Sequence, residues 1–226
     1  GLQEFVGLMP LFQSRRTTGL ATGVYQCFDD CNLPIHLLFS RGSANRVSTV
    51  LSGRADFCVM SRLAYRIAAR QGEPILKLVE FQPRSYRSDF VLLVKRDAYM
   101  NSEELVLGAD LFSHDHVALL DQLKERWDRK LKVLNYLHVE LGAAMRRCEL
   151  DAALVGEIDR ESVTEECIAI SLRTILPDYI EDANKAVLVA KSGNEAISAL
   201  LKTIIAPQVV NKVQQDVLAG NRSARY

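Results

Sequence analysis

The sequence predicts an α/β protein of two similar lobes, each with the element order β-α-β-α-β. Two repeats carry this prediction. The segment Leu51–Ser61 returns about 95 residues later as Arg146–Gly156, and both copies place an Asp before a short apolar run. The segments Val91–Lys95 and Val187–Lys191 repeat with nearly the same shift. Two elements that repeat with one shift indicate two related lobes, and two lobes imply a cleft between them.

The first lobe is predicted from apolar runs and the turns between them. Runs bounded by Gly, Pro and Asn indicate strands, and apolar residues at three- and four-residue spacings indicate helices. Gly53 fits the left-handed position just past a helix end. The predicted elements are strand Phe5–Leu11, helix Gly19–Cys31, strand Ile35–Phe39, a helix from the turn Ser40–Asn45 to Ser52, and strand Phe57–Met60.

The second lobe is predicted from the same order of elements. Its strands are apolar throughout, as parallel strands covered by helices on both faces are. Cys148 stands where the first lobe has Gly53, and a left-handed Cys costs about 1 kcal/mol, so a different turn is favoured there. The predicted elements are strand Val117–Leu120, helix Gln122–Arg129, strand Leu131–Asn135, helix Val139–Arg147 and strand Ala152–Val155.

The segments outside these two units give the predicted lobe boundaries. Two strand-like segments, near residues 90–95 and 186–191, each follow one complete unit and are therefore predicted to be the crossovers. Lobe 1 then comprises residues 1–89 and 192–226, and lobe 2 residues 90–191. A single helix is predicted from Asn194 to about Leu218. The last six residues are interpreted as a frayed end.

Composition argues against several classes of function. Lys plus Arg and Asp plus Glu both number 28, so the chain shows no sign of the basic face of a nucleic-acid-binding module. No apolar run approaches the roughly eighteen residues of a membrane helix, so no membrane partner is expected. Five cysteines in mostly apolar or helical contexts favour a reduced, cytoplasmic protein. Gly1 leads at once into a strand-like run, which suggests a fragment whose missing part lies upstream.

Ligand-binding residues are expected beyond the carboxyl ends of the parallel strands, where backbone amides and helix N-termini point outward. Helix N-termini attract carboxylate and phosphate groups, and nearby arginines add bidentate hydrogen bonds. Helix capping remains an alternative role for Ser43 or Asn45, and a simple surface position for the arginines. The candidate ligand-binding residues are Ser14, Arg15, Ser43, Asn45, Arg46, Ser61, Arg62, Asp121, His138 and Glu157.

Catalytic and metal-binding motifs are weak or missing. The chain contains no nucleophile elbow, phosphate-binding glycine loop or metalloprotease motif, so no catalytic residue, metal or cofactor is predicted. Cys27 and Cys31 have a spacing that metal ligands use, but no second pair accompanies them, and a packed core is favoured. Asp56 and Asp151 open strands at the end away from the expected cleft, which favours turn-forming roles.

Two such lobes with two crossovers resemble the periplasmic-binding-protein-like fold, type II. The chain more closely resembles the C-terminal part of YhfZ-type transcriptional regulators over essentially its whole length. Three segments carry this resemblance: Ser14–Gly19, Phe39–Arg46 and Val59–Arg62. The resemblance implies a small-molecule effector in the inter-lobe cleft and a homodimer. It also implies that DNA is contacted only through an N-terminal helix-turn-helix domain that this segment lacks.

Three functional hypotheses follow. The first is the effector-binding domain of a cytoplasmic transcription regulator, in which ligand binding closes the lobes and changes the attached DNA-binding domain. The second is an extracytoplasmic solute-binding protein of the same fold, against which the cysteines and the missing export signal argue. The third is an enzyme on this bilobal fold, which requires acid–base groups such as His138 and Glu157 to meet in the cleft.

Overall fold

A computed structural model describes residues 4–11, 14–156 and 165–226 of the chain. The chain divides into two compact units. Unit 1 comprises Gly1–Arg87 and Asp182–Tyr226, and unit 2 comprises Ser88–Glu181. Each unit contains one five-stranded mixed sheet, and the chain passes between the units twice, at residues 87–88 and 181–182.

Strands and helices alternate along most of the chain. Ten strands and nine α-helices lie within the described residues, together with short 3-10 turns at His138–Glu140 and Leu172–Thr174. The elements are β1 (Phe5–Pro10), α1 (Arg15–Asp30), β2 (Ile35–Ser40), α2 (Ser43–Leu51), β3 (Phe57–Ser61), α3 (Arg62–Arg70), β4 (Ile75–Glu80), β5 (Val91–Lys95), α4 (Arg96–Asn101), β6 (Glu104–Ala109), α5 (His114–Arg126), β7 (Lys130–Asn135), α6 (Leu141–Arg146), β8 (Ala152–Val155), β9 (Cys167–Ser171), α7 (Pro177–Asn184), β10 (Ala186–Lys191), α8 (Glu195–Ile204) and α9 (Pro207–Leu218).

The two sheets have the same topology. The strand order is β2-β1-β3-β10-β4 in unit 1 and β7-β6-β8-β5-β9 in unit 2. The first three strands of each order are parallel, and the fourth is antiparallel to both of its neighbours. This antiparallel strand is the first one that the chain forms on entering the unit from the other. The matching topologies confirm the predicted pair of related α/β lobes.

The antiparallel strands replace the predicted crossover segments. Residues 90–95 and 186–191 were expected to link the lobes, but β5 and β10 are hydrogen-bonded inside the sheets of units 2 and 1, respectively. Their apolar side chains are almost all buried. The passages between units therefore lie just before each of these strands, and residues 182–191 belong to unit 1.

The core of unit 1 combines an aromatic cluster with closely packed helices. The ring centroids of Phe5 and Phe57 lie 5.2 and 6.1 Å from that of Phe28. On α1, Gly23 faces α9 so closely that a Cβ atom there would lie 2.8 Å from the backbone of Val210. Glycine is therefore required where these helices meet. No helix in the described part of the chain has the length and apolar character needed to cross a membrane.

The first parallel strand of unit 2 differs from the prediction. The predicted strand Val117–Leu120 is wrong, because these residues lie inside α5, which Ser113 caps by accepting a hydrogen bond from the His116 N–H. Leu119, Leu120 and Leu123 are buried along one side of that helix. The first of the three parallel strands of this unit is β6, which begins 13 residues earlier in the chain.

The turn at Cys148 also differs from the prediction. Cys148 has a φ of 60°, close to the 75° of Gly53, so the two repeats share a left-handed residue at the same place. The expectation of a different turn is therefore wrong. The backbone hydrogen bonds agree, since the N–H of Cys148 donates to Met145 and that of Gly53 donates to Val50. The second unit retains this turn despite the cost of a side chain.

The C-terminal region contains two helices and an ordered end. The predicted helix from Asn194 to Leu218 is interrupted between α8 and α9, where Pro207 cannot continue the hydrogen bonding of the preceding helix. Beyond α9, the N–H of Arg225 donates to Thr22 Oγ1 at 3.0 Å, and the ring of Tyr226 lies 4.9 Å from that of Phe39. The terminal residues therefore pack on unit 1 and are not frayed.

Candidate functional site

The parallel strands of unit 1 end together at one edge of its sheet, which we call the carboxyl edge of unit 1. β4 ends there too, because β10 is antiparallel to both β3 and β4. The loops and first helical turns at this edge contain eight basic residues and two acidic ones, Glu80 and Asp182. This excess of positive charge favours anions. The basic residues are Arg15, Arg16, Arg41, Arg46, Arg62, Arg84, Arg87 and Lys185.

At the start of α1, Ser14 is a helix cap. Its Oγ accepts a hydrogen bond from the N–H of Thr17 at 3.2 Å, which satisfies one of the free donors of the first turn. Arg15 is exposed beside it. Arg16 is held more firmly, because its guanidinium donates to the backbone carbonyl of Arg84.

At the start of α2, the N-cap residue supplies no side-chain cap, because it is a glycine. The N-cap is Gly42, whose φ of 76° is a conformation that favours glycine. Ser43 is buried as the first helical residue, and Asn45 is exposed, with its Nδ2 donating to the carbonyl of Arg41 at 3.1 Å. The N–H groups that open α2 are therefore positioned to bind an anion.

The guanidinium of Arg46 is buried beneath this edge, with only 2% of the residue exposed. Its Nε donates to the carbonyl of Val59 at 3.0 Å, its Nη1 to the carbonyl of Ser40 at 2.7 Å, and its Nη2 to the hydroxyl of Tyr86 at 3.0 Å. All three acceptors are neutral, and no carboxylate of the described residues pairs with it. The buried positive charge of Arg46 is hydrogen-bonded but not neutralised.

At the start of α3, Ser61 and Arg62 make internal contacts. Ser61 is fully buried and caps the helix by accepting from the N–H of Ala64 at 2.9 Å. The guanidinium of Arg62 donates from Nε to Asp182 Oδ1 at 2.6 Å and from Nη1 to Glu80 Oε1 at 2.8 Å. Arg62 therefore holds the residues that return from unit 2 against the end of β4.

Glu80 is the centre of a group of cations. Lys77 Nζ lies 2.7 Å from one carboxylate oxygen and Lys185 Nζ lies 3.2 Å from the other. Burial by itself would raise the pKa of Glu80, but hydrogen bonds from both lysines and the charges of Lys77 and Arg62 outweigh burial and lower the pKa to about 2. Glu80 is thus ionised at any physiological pH.

The corresponding edge of unit 2 holds His138 and a buried carboxylate that sequence analysis missed. Asp110 directly follows β6, and its Oδ2 accepts from the backbone N–H of His138 at 3.2 Å. Its own N–H donates to Nδ1 of the buried His116 at 3.0 Å, which places the proton of a neutral imidazole on Nε2. Asp110 therefore joins the loop after β6 to the loop after β7. A polar residue that follows a strand is the signal for it, but β6 itself was not predicted.

One predicted residue does not join this edge, and another cannot be located among the described residues. Asp121 is exposed in the middle of α5, because Val117–Leu120 is helical and no strand ends before it. Glu157 lies outside the described residues. The proposed acid–base pairing of His138 with Glu157 is therefore without a described geometry.

Metal-binding and thiol chemistry find little support in the described residues. No group of three or more His, Cys, Asp or Glu side chains in this part of the chain is arranged to hold a metal ion. All five cysteines are free. Burial raises the pKa of the Cys58 thiol to about 12, despite the nearby charge of Arg46, and burial also raises the pKa of Cys27. Both thiols are therefore protonated at neutral pH and poor nucleophiles.

Comparison with solved structures identifies the fold as periplasmic-binding-protein-like, type II. The crystal structure of YhfZ from Shigella flexneri matches with a TM-score of 0.83 and 23% identity, covering 99% of this chain and 93% of that one. The periplasmic aliphatic sulphonate binding protein SsuA from Escherichia coli matches with a TM-score of 0.70 and 13% identity, covering 98% and 76%. A TRAP periplasmic solute binding protein from Anaerococcus prevotii, with bound alpha/beta d-glucuronate, matches with a TM-score of 0.60 and 12% identity, covering 96% and 81%.

Sequence comparison gives the family. YhfZ of Escherichia coli (strain K12) is 25% identical over 225 residues, a match that covers 100% of this chain and 72% of that protein. The family model described as the YhfZ C-terminal domain matches residues 1–226. The chain therefore belongs to the YhfZ C-terminal domain family.

Proposed function

We propose that the chain is the effector-binding domain of a cytoplasmic transcription regulator, and that its effector is a small organic anion held at the carboxyl edge of unit 1. The observation that carries the choice of an anion is the buried guanidinium of Arg46, which has three neutral hydrogen-bond acceptors and no carboxylate partner among residues 4–11, 14–156 and 165–226.

The electrostatics of this edge support an anionic ligand. A buried cation is costly unless a negative charge lies nearby, and an anion at the start of α2 would supply one. The same anion would accept hydrogen bonds from N–H groups in the first turn of α2, where the N-cap Gly42 has no side chain to cap the helix. Arg46 would act through its field and by fixing the ends of β2 and β3, since each of its three nitrogens already donates to a protein acceptor.

The role in transcription rests on the family and on composition. YhfZ of Escherichia coli is longer than this chain, and its uncovered part is where we place a DNA-binding domain. Five free cysteines fit a reducing cytoplasm. The missing catalytic motifs and the absence of a three-residue metal cluster among the described residues fit a binding role better than an enzyme.

Calorimetric titration tests the anion site. The first probes are inorganic phosphate, an aliphatic sulphonate and d-glucuronate, the last two because they appear with structural neighbours. Asn45→Asp adds a negative charge at the start of α2 without changing side-chain size, and we expect it to weaken binding by on the order of tenfold or more.

The matched control is Asn194→Asp. Asn194 caps α8, which follows β10 and so begins at the opposite edge of the same sheet. This variant makes the same chemical change at another helix start and should leave affinity unchanged. Equal losses in both variants, or no loss in Asn45→Asp, would contradict the site.

A solute-binding protein is the second candidate, because several structural neighbours with this fold have that role. The two functions are separated with the full-length native protein. A regulator is expected to shift DNA from its own promoter region in a mobility assay, with the shift changed by the anion identified above. Export of the full-length protein from the cell would instead favour solute binding.

A further inference from the structure

The two chain segments that connect unit 1 to unit 2 are hydrogen-bonded to each other inside unit 1. The N–H groups of Tyr86 and Arg87 donate to the carbonyl of Asn184 at 2.9 and 3.4 Å. The N–H of Ala186 donates to Oγ of the fully buried Ser85 at 2.9 Å. The residues just before the first passage and just after the second therefore form one hydrogen-bonded group. We call residues 82–87 and 184–186 the connection base.

Gln214 of α9 is the buried residue that holds this base. Its amide nitrogen donates to the carbonyl of Ser85 at 2.7 Å and to that of Arg16 at 2.9 Å. Its amide oxygen accepts from the side-chain amide of Gln82 at 3.4 Å. Because carbonyl oxygens can only accept, the orientation of the Gln214 amide is fixed. Gln214 thereby ties the connection base to the first turn of α1.

The surroundings of Gln214 make a polar side chain there unexpected. The other buried residues of α9 are Val210, Val213 and Val217, and Gln214 is itself fully buried. A buried amide is costly unless its hydrogen bonds are made, so it specifies one arrangement of its partners where an apolar side chain would specify none. The amide at this position therefore favours a fixed connection base.

The connection base leads from Gln214 to the buried Arg46. Ser85, whose carbonyl accepts from Gln214, directly precedes Tyr86, whose hydroxyl accepts from Nη2 of Arg46 at 3.0 Å. None of the three hydrogen bonds of Gln214 within the described residues goes to Arg46 or to α2. Any influence of Gln214 on Arg46 must therefore pass through the backbone that carries Tyr86.

We propose that Gln214 is a positioning residue for the anion site, because it holds the connection base in the conformation that brings the Tyr86 hydroxyl to Arg46. Through Gln214, a change in α9 alters anion affinity without touching the anion. The ligand in this inference rests on the proposed function, whereas the positioning of Tyr86 does not.

Amide hydrogen exchange, measured by mass spectrometry, tests whether Gln214 holds the base. Gln214→Met removes the hydrogen bonds while keeping side-chain length, and Gln215→Met is the matched control at the next, exposed position of the same helix. We expect residues 84–87 and Ala186 to exchange about tenfold or more faster in Gln214→Met, beyond any change in β1 and β3. Gln82→Met, which removes one hydrogen bond of Gln214, should give a smaller rise in the same residues.

A double-mutant cycle tests the positioning of Tyr86. Tyr86→Phe should lower the folding equilibrium constant, obtained from urea unfolding, about tenfold or more in wild type and in Gln215→Met. In Gln214→Met the same change should lower it only about two- to threefold, because Tyr86 is no longer held against Arg46. Titration with whichever of phosphate, an aliphatic sulphonate and d-glucuronate binds wild type should show about tenfold weaker binding to Gln214→Met and no change in Gln215→Met.

The outcomes separate this inference from the proposed function. Exchange in the connection base that is unchanged, or that rises equally in β1 and β3, would overturn the role of Gln214, as would additive losses in the cycle. Unchanged affinity in Gln214→Met for an anion that binds wild type would overturn its effect on the site. A wild type that binds none of the three anions would contradict the proposed function, while exchange and the cycle would still decide whether Gln214 positions Tyr86.

Discussion

Asp56 and Val6 are joined by two hydrogen bonds. The N–H of Val6 donates to Asp56 Oδ2 at 2.8 Å, and the N–H of Asp56 donates to the carbonyl of Val6, also at 2.8 Å. Asp151 and Val106 repeat this pair in unit 2, with both distances at 2.9 Å. The aspartates that open the repeated motif thus fasten β3 to β1 and β8 to β6. Their role is structural, but these contacts run between strands and not within a turn, as had been predicted.

Replacing either aspartate should destabilise its own unit. Asp56→Ala and Asp151→Ala each leave a backbone N–H without its charged acceptor, at a cost of about 1–3 kcal/mol. Urea unfolding followed by circular dichroism measures this loss. Asp29→Ala, at an exposed position on α1, is the control and should change stability by less than about 0.5 kcal/mol. Equal effects at all three positions would contradict the assigned role.

Substitutions at the left-handed residue should have opposite effects in the two units. Gly53→Ala is expected to destabilise by about 1 kcal/mol, although a Cβ there would meet no atom within 4 Å, because the cost comes from φ alone. Cys148→Gly is expected to stabilise by about 0.5–1 kcal/mol, since it relieves the same strain. Thermal unfolding measures both changes. A loss of stability in Cys148→Gly would show that its side chain makes a compensating contact.

Removing one partner of the buried Arg46–Tyr86 hydrogen bond should lower the free energy of unfolding by more than the hydrogen bond itself contributes. Tyr86→Phe leaves Nη2 of Arg46 buried without its acceptor, and we expect a loss of about 1–3 kcal/mol. In the Arg46→Met background the same change should cost much less, because no buried donor remains. A double-mutant cycle from urea unfolding gives this difference. Additive losses would mean that the hydroxyl of Tyr86 acts independently of Arg46.

The contribution of Glu80 to stability should depend on pH. Its pKa is lowered from 4.5 to about 2 in the folded protein, so the carboxylate stabilises the fold at pH values above its unfolded pKa. After allowance for partial exposure, the contribution is about 2 kcal/mol near neutral pH, lost progressively as pH falls from about 5 to about 2.

Urea unfolding of wild type and Glu80→Gln at several pH values tests this dependence. The difference between the two proteins should be largest above about pH 5 and shrink toward pH 2. Glu73→Gln, at an exposed turn before β4, is the matched control. A difference that stays constant with pH would rule out the ionised carboxylate as its source.

The sequence predicted the fold best where a backbone conformation or hydrogen bond favours one particular type of residue. The repeat was detectable because both units need the same residue types at the same places. Asp56 and Asp151 accept a backbone hydrogen bond from a neighbouring strand. Gly53 and Cys148 each follow a helix in a left-handed conformation.

The prediction of a strand at Val117–Leu120 was wrong because four consecutive apolar residues fit a buried strand and a buried helix face equally well. The cap at Ser113, which accepts from the N–H of His116, favours the helix.

The sequence predicted which residues lie at the edge of the sheet, but not the contacts that their side chains make. Strand order places Ser43, Arg46 and Arg62 at one edge, but the sequence does not specify which way a long side chain turns. Arg46 turns inward to three neutral acceptors, and Arg62 turns to Glu80 and Asp182, which are distant from it in sequence.

The strand β10 has a consequence for synthesis on the ribosome. Unit 2 is one continuous stretch, so it can complete its sheet as soon as β9 and α7 have emerged. The sheet of unit 1 lacks its fourth strand until residues 186–191 have been translated. Residues 1–87 of unit 1 are therefore synthesised before unit 2 but cannot complete their sheet until after it, because β10 joins β3 to β4. Nascent chains arrested before Ala186 should accordingly expose the first unit, and spare the second, to protease.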